Sequence, residues 1–364
     1  MPESDPPATT GSDDGLADLW EWFAVNQFRG YSPLYERIAL AVAADDEVLG
    51  LVRQAPPTAH LPPVLLGAVH FVVLGSPAHP LAEVYAGRSD RDPVPLFLEL
   101  CRTHRDQLGA LLSFRQVQTN DCGRSALIAP GLSWVTARHP GPFALVDVGA
   151  SAGLNLLCDR YRLDYGGRGA TGPADSAVTV ECEVLGGDPP IVERLAEPAH
   201  RIGVDRSPVD LSDPDDARWL LACVWPDTGR LERTAASIQM ARQGLPAVRE
   251  GDACDLLPRL LDDLDDGLGA VVMTTWAFSY FSSENRQRFA ELVEAASWRR
   301  PIAWLSADGA GTVPGVAEPT LTDPGGAHAH VLGAVLIDRG VTSTELLAVV
   351  QQHGAWLDWR APPG

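Results

Sequence analysis

The apolar positions along the chain change their period near residue 143. Before that point they recur at helical spacing, from Leu16 onward and again over 33–43, 46–53 and 62–74, each stretch set off by Gly and Pro. A further helix over 95–112 leads into the polar run Arg115-Gln116-Val117-Gln118-Thr119-Asn120-Asp121, and another is expected over 123–138. From Phe143 the pattern becomes short apolar runs alternating with helical stretches, the mark of a mostly parallel sheet whose ligand crevice lies at the carboxyl ends of its strands. The last third, 331–338, 346–350 and 355–359, carries the turns Asp338-Arg339-Gly340 and His353-Gly354 and predicts an antiparallel edge. The expected organisation is a disordered tail over 1–14, a helical region over 15–140 and an α/β domain over 141–364. An insertion near 168–198 interrupts that domain.

One stretch organises the second half. Phe143-Ala144-Leu145-Val146 runs into Asp147, and Gly149, Ala150, Ser151 and Gly153 come next, before a new apolar pattern. A buried strand turning tightly into a helix is expected, with outward-facing amides suited to a carboxylate, a ribose or a phosphate. Three chemistries share this outline. The dinucleotide fingerprint fits poorly, because Leu156 stands where a third glycine falls. Gly149-x-Ser151-x-Gly153 matches the nucleophile elbow of serine hydrolases. In that reading Asp308 or Asp323 and one of His328, His330 or His353 complete the triad. The third chemistry is the glycine-rich loop of class I S-adenosylmethionine methyltransferases, which Asp147-x-Gly149-x-Ser151-x-Gly153-x-Asn155 resembles.

Composition narrows the choice. The 364 residues carry 48 acidic against 28 basic side chains, a formal charge of −20, so anionic membranes and nucleic acid phosphates are repelled and a small-molecule substrate is expected. Every basic residue is arginine, which removes P-loop, Schiff-base and Ser-x-x-Lys chemistry. The six cysteines form no Cys-x-x-Cys pair, and no secretory signal region or apolar run near the ~20 residues of a span is present, so a reduced, cytoplasmic setting is expected. His328-Ala329-His330 has too few companions for a metal site.

Arg115 to Arg124, the Asp147–Asn155 loop, Asp205, Gly251 to Ala253 and His353-Gly354-x-Trp356-x-x-Trp359 together resemble a bacterial family of unknown function. Its members look like class I methyltransferases with a helical N-terminal extension. The resemblance implies a Rossmann-like fold with helices on both faces of the sheet, and S-adenosylmethionine as cofactor. It places Asp147, Gly149, Ala150, Ser151, Gly153 and Asn155 around the methionine part. Asp205 would hold the ribose, with Asp164 and Asp210 as competitors, and Asp252 and Ala253 the adenine. Asp205 lies far beyond the ~20 residues of a compact unit, so the insertion must loop out. Residues past the fourth strand face the transferred methyl in such enzymes, which makes Thr275, Trp276 and Tyr280 catalytic candidates. Ser279 joins Arg115, Gln118 and Asn120 as a substrate-binding candidate. A non-catalytic nucleoside-binding role on the same fold is the third alternative.

Overall fold

Period-two and continuous apolar runs place twelve strands in the computed structural model, which describes residues 13–244, 248–319 and 329–362. The expected tail lies outside these residues except for its last two positions. The chain divides into two compact units, 1–119 with 212–235, and 120–211 with 236–364.

The first unit is helical. It contains α1 (Asp13–Phe23), α2 (Pro33–Ala43), α3 (Asp46–Arg53), α4 (Pro62–Gly75), α5 (Pro80–Tyr85), α6 (Pro93–Thr103) and α7 (Arg105–Phe114). Caps fix several starts: Ser32 accepts the Tyr35 amide, Asp45 that of Val48 and Asp92 that of Val94. Helix α4 is apolar on every side and correspondingly buried on every side. Its one imidazole, His70, donates Nδ1–H to the Ala222 carbonyl at 3.0 Å, and burial pushes its pKa down to about 4. The expected helix over 95–112 is two helices, because the chain leaves helical geometry at His104.

The boundary expected at 140 falls at 119. Segment 212–235, including α9 (Pro214–Ala222), belongs with the helices. The reason is packing: Gly67 of α4 lets the Trp219 ring approach to 3.6 Å of where a Cβ would stand, and Asp227 accepts from both Ser32 Oγ and the Leu34 amide. Residues 120–138 go with the sheet, since α8 (Ser125–Arg138) sets Gly131 directly against Leu305.

The second unit is built on a nine-stranded sheet. Its strands in chain order are β1 (Phe143–Val148), then, beyond a small three-stranded sheet of β2 (Arg162–Asp164), β3 (Ala170–Thr171) and β4 (Thr179–Glu181), β5 (Glu183–Gly186) and β6 (His200–Asp205). They continue with β7 (Arg249–Glu250), β8 (Gly269–Thr275), β9 (Ile302–Asp308), β10 (Ala329–Asp338), β11 (Val341–Gln351) and β12 (Trp356–Trp359). The order is β5-β12-β11-β10-β9-β8-β1-β6-β7. Strands β6, β7, β8 and β9 join β1 in a parallel block, and β10 to β12 add an antiparallel meander. The expected antiparallel edge is therefore present but is not the margin, because β5 from the insertion pairs in parallel with β12. Helices α11 (Ala253–Asp262) and α12 (Ser283–Ala296) belong to this unit, and α10 (Leu231–Arg242) is divided between the two at Ala235. Trp304 and the rings of Phe278, Phe281 and Phe289 form an aromatic core of edge-to-face and tilted pairs in this unit.

From β1 the chain lays β6 and β7 on one side, then crosses back to lay β8 and β9 on the other. The carboxyl ends of β1 and β8 therefore flank a topological switch point, where open α/β sheets place their ligand crevice.

Candidate functional site

Strand β1 is buried along its whole length and carries Asp147 near its carboxyl end at 0% exposure. Neither carboxylate oxygen has a hydrogen-bond partner among the described residues. Burial pushes the pKa of this carboxyl up to about 7; nearby Arg124 pulls it down and Asp205 pushes it further up. A buried carboxylate with no donor costs several kcal/mol, so its presence calls for a ligand.

The turn above it differs from expectation. The Gly149 and Ala150 amides both donate to the Val204 carbonyl, at 2.8 and 3.1 Å. The Gly153 amide donates to Ala150 at 2.7 Å, and the Ser151 amide to Asp205 Oδ2 at 2.8 Å. These four amides are used inside the protein, so the loop is no cradle for a phosphate. Beyond Gly153 a single 3-10 turn, Leu154–Leu157, stands in place of the expected helix, because Asn120 Oδ1 accepts the Leu154 amide and the chain turns away. The small residues have a different purpose. A Cβ on Gly149, whose φ is +77°, would stand 2.3 Å from the Ala277 methyl, so the β1 and β8 loops touch only because this position is bare. Ser151 itself takes φ 51°, a conformation few non-glycine residues adopt.

Asp205 ends β6 beside this loop, as expected from its sequence. It clasps the chain with both oxygens, Oδ2 on Ser151 and Oδ1 on the Ser207 amide at 2.8 Å. Asp252 caps α11 through the Cys254 amide at 2.8 Å and is paired with Arg206, which hold its pKa below the usual carboxylate range against the upward push of partial burial. Its carboxylate is thus already engaged, and Ala253 is buried in the first turn of that helix. Of the competing acids, Asp164 accepts the Gly166 amide in the small sheet.

Strand β8 delivers the other wall. Thr275 is buried, with Oγ1 accepting from Asn155 Nδ2 at 3.4 Å, and the Asn155 Oδ1 is a further buried atom without a partner among the described residues. Trp276 turns out of the strand at φ 54°, and its buried indole Nε1 likewise has no partner among the described residues. The Arg124 guanidinium lies 4.6 Å from the centre of the indole, and the His330 ring packs edge-on at 5.1 Å. Asp147, Asn155 and Trp276 thus bring unsatisfied polar atoms to one end of β1 and β8.

Other candidates are placed elsewhere. Tyr280 is 88% exposed. Ser279 donates Oγ–H to Asp308 at 3.0 Å, the last link of a buried chain from Trp304 Nε1 through Thr274 and Ser306. Burial pushes Asp308 up to about 6 while these donors pull it down. Arg115 and Gln118 belong to the helical unit, where Arg115 pairs with Asp216 at 2.6 Å; Asn120 belongs to the sheet unit. Asp323 and His328 lie outside the described residues. Among the described residues no cluster of His, Cys, Asp or Glu could hold a metal ion. Two surface cavities open at the opposite, amino-terminal ends of the strands, around Phe143 and Gly269 and around His200 and Arg249.

Sequence reasoning missed the roles of two residues here. Arg124 is buried and links Thr275 to the turn after β11, and His353 pairs with Asp121 at 3.0 Å. Arg124 stood only in a motif read as a helix start, and His353 was weighed as a triad histidine with Asp308 or Asp323 as its acid, not with Asp121.

The fold and site define an α/β protein whose largely parallel sheet gathers Asp147, Asp205 and Asp252 near the carboxyl ends of β1, β6 and β7, beside its switch point. The chain belongs to the family described as "uncharacterized protein conserved in bacteria (DUF2332)", whose model matches residues 17–359. No curated protein matches the chain, and no solved structure matches it.

Proposed function

We propose that the chain is a methyltransferase that uses S-adenosylmethionine as donor and acts on a small molecule. The observation that carries this reading is the Asp147 carboxylate, fully buried beneath the Gly149–Gly153 turn with neither oxygen partnered among the described residues. Such a group is neutralised by a cation, and the amino-acid ammonium of the donor fits it. Engagement of the loop amides speaks against a pyrophosphate and in favour of a ligand held by carboxylates. Asn155 and Trp276 supply one further acceptor and one further donor, and Asp205 retains lone pairs for ribose hydroxyls after accepting two amides. Asp252 contributes through the shape of the α11 start, its carboxylate being occupied by Arg206. The bound donor supplies an activated sulfonium methyl; the chain supplies position and exclusion of water, which effective-molarity estimates value at up to about 7–11 kcal/mol.

Calorimetric titration with S-adenosylmethionine and S-adenosylhomocysteine tests the reading. Micromolar binding that Asp147→Ala abolishes and Ser151→Ala tolerates supports it. Absence of binding to folded wild type overturns it.

A second reading, hydrolysis through Ser151, is favoured by one observation, the positive φ of that serine in a Gly-x-Ser-x-Gly turn. Covalent labelling of Ser151 by a fluorophosphonate would carry it; an unlabelled serine removes it.

A further inference from the structure

A second pair of titratable groups stands beside the crevice, and the cofactor reading leaves it without a role. Asp121 Oδ2 lies 3.0 Å from His353 Nδ1, with the two side chains only 3% and 11% exposed. Both partners are fixed from behind. Asp121 Oδ1 accepts the Gly123 amide at 2.8 Å, and Gln351 Oε1 accepts the His353 and Ala355 amides at 2.8 and 3.2 Å. The adjoining Gly354 has φ +80°, and a Cβ there would stand 2.0 Å from the Gly123 carbonyl oxygen, so the histidine loop is seated tightly on the segment that carries the aspartate.

Two connections bring this pair to the crevice wall. Asn120, next to Asp121, accepts the Leu154 amide of the glycine loop at 2.9 Å. Arg124 donates to the Gln352 carbonyl at 3.3 Å and to the Thr275 carbonyl at 3.2 Å, with its guanidinium over Trp276. Strand direction agrees: β11 ends at Gln351, at the same sheet end as the termini of β1 and β8. A carboxylate against Nδ1 fixes the ring proton there, makes Nε2 the basic nitrogen and stabilises the imidazolium that forms when Nε2 takes a proton.

We propose that His353 is the general base for the methyl acceptor, with Asp121 as its positioning residue, and that the acceptor is a small molecule bearing a hydroxyl or thiol. This rests on the methyl-transfer reading. The acceptor's O–H or S–H proton passes to His353 Nε2, and the electron pair left on oxygen or sulfur forms the new bond to the methyl carbon. The carbon–sulfur bond of the sulfonium breaks, its electron pair staying on sulfur, which departs as a neutral thioether. The imidazolium then gives its proton to water. A neutral amine attacks before losing a proton, so an oriented base of this kind suits hydroxyls and thiols.

The test uses the full chain with Asp121→Asn and His353→Gln. In Asp121→Asn the carboxamide oxygen keeps the Gly123 bond while its NH₂ group faces Nδ1, which forces the ring proton onto Nε2. S-adenosylmethionine is supplied with a panel of simple phenols, catechols, thiols and primary amines, and S-adenosylhomocysteine release is monitored. The expected result is wild-type binding of S-adenosylmethionine by both variants, with kcat toward phenols or thiols down by roughly 10²–10⁴-fold and KM nearly unchanged. In the unloaded protein, ¹⁵N–¹H correlation of the His353 ring should show the proton on Nδ1 in wild type and on Nε2 in Asp121→Asn. Unchanged kcat in His353→Gln, transfer to amines alone or to nothing in the panel, or an Nε2–H ring in wild type overturns the proposal. Wild type that does not bind S-adenosylmethionine sinks the cofactor reading and this inference with it; binding with unaltered transfer in His353→Gln sinks this inference alone.

Discussion

Asp147 carries the proposed cofactor site, and its cost to the fold can be measured. Its carboxyl titrates at about 7 in the folded chain against 3.8 for the free side chain. A carboxyl with a raised folded-state value binds more protons folded than unfolded, so stability is complete below about pH 4 and is lost as pH rises to about 7. The loss amounts to about 4 kcal/mol once the group is ionised. Asp308, pushed up to about 6, adds in the same direction. Thermal melts of wild type should therefore fall between pH 5 and pH 8, and Asp147→Asn should flatten that fall and melt higher than wild type at pH 8. A wild-type melt independent of pH would contradict the burial argument. A cationic ligand prefers the ionised carboxylate, so its Kd should rise by up to about tenfold per pH unit below about 7. Calorimetry across that range checks it.

At the scale of elements, the sequence foretold the type of most helices and strands, because their apolar periods are long and their caps explicit; helix 33–43 and the buried strand from Phe143 are examples. Other features depend on contacts that no local pattern records. Short α5 was not anticipated, and His104 splits a helix that periodicity reads as continuous. The glycine loop was legible as a tight turn after a buried strand, yet the engagement of its amides by Val204 and Asp205 comes from β6, which the insertion separates from it in the chain. Asp121 and His353 were invisible as a pair for the same reason, since only the antiparallel meander brings them together. The glycines carry a prediction at this scale. Gly149→Ala places a methyl 2.3 Å from Ala277 at a φ of +77°, so it should destabilise the chain by about 1–3 kcal/mol or more and weaken cofactor binding together with stability. A melt unchanged from wild type would show that the β1 and β8 loops do not abut.

At the scale of the whole molecule, the chain forms two units whose boundary no composition shift marks, because segment 212–235 returns to the helices after β6. Among the described residues no helix is long and apolar enough to cross a membrane. The six cysteines are all free and buried, and burial raises the thiols of Cys101, Cys158, Cys182 and Cys223, the last two to about 12. Those four should resist Ellman's reagent in the native chain, and all six should react in guanidinium. Rapid native labelling of any of the four would contradict their packing.

The central claim is that a buried, stability-costing carboxylate is kept for a cationic cofactor. Its most direct test is Asp147→Asn at pH 8, titrated with S-adenosylmethionine and melted in parallel. The expected variant melts above wild type while its Kd rises about 10–100-fold, the loss of one charge-assisted interaction of ~1.5–3 kcal/mol. A variant that binds as well as wild type would contradict the claim.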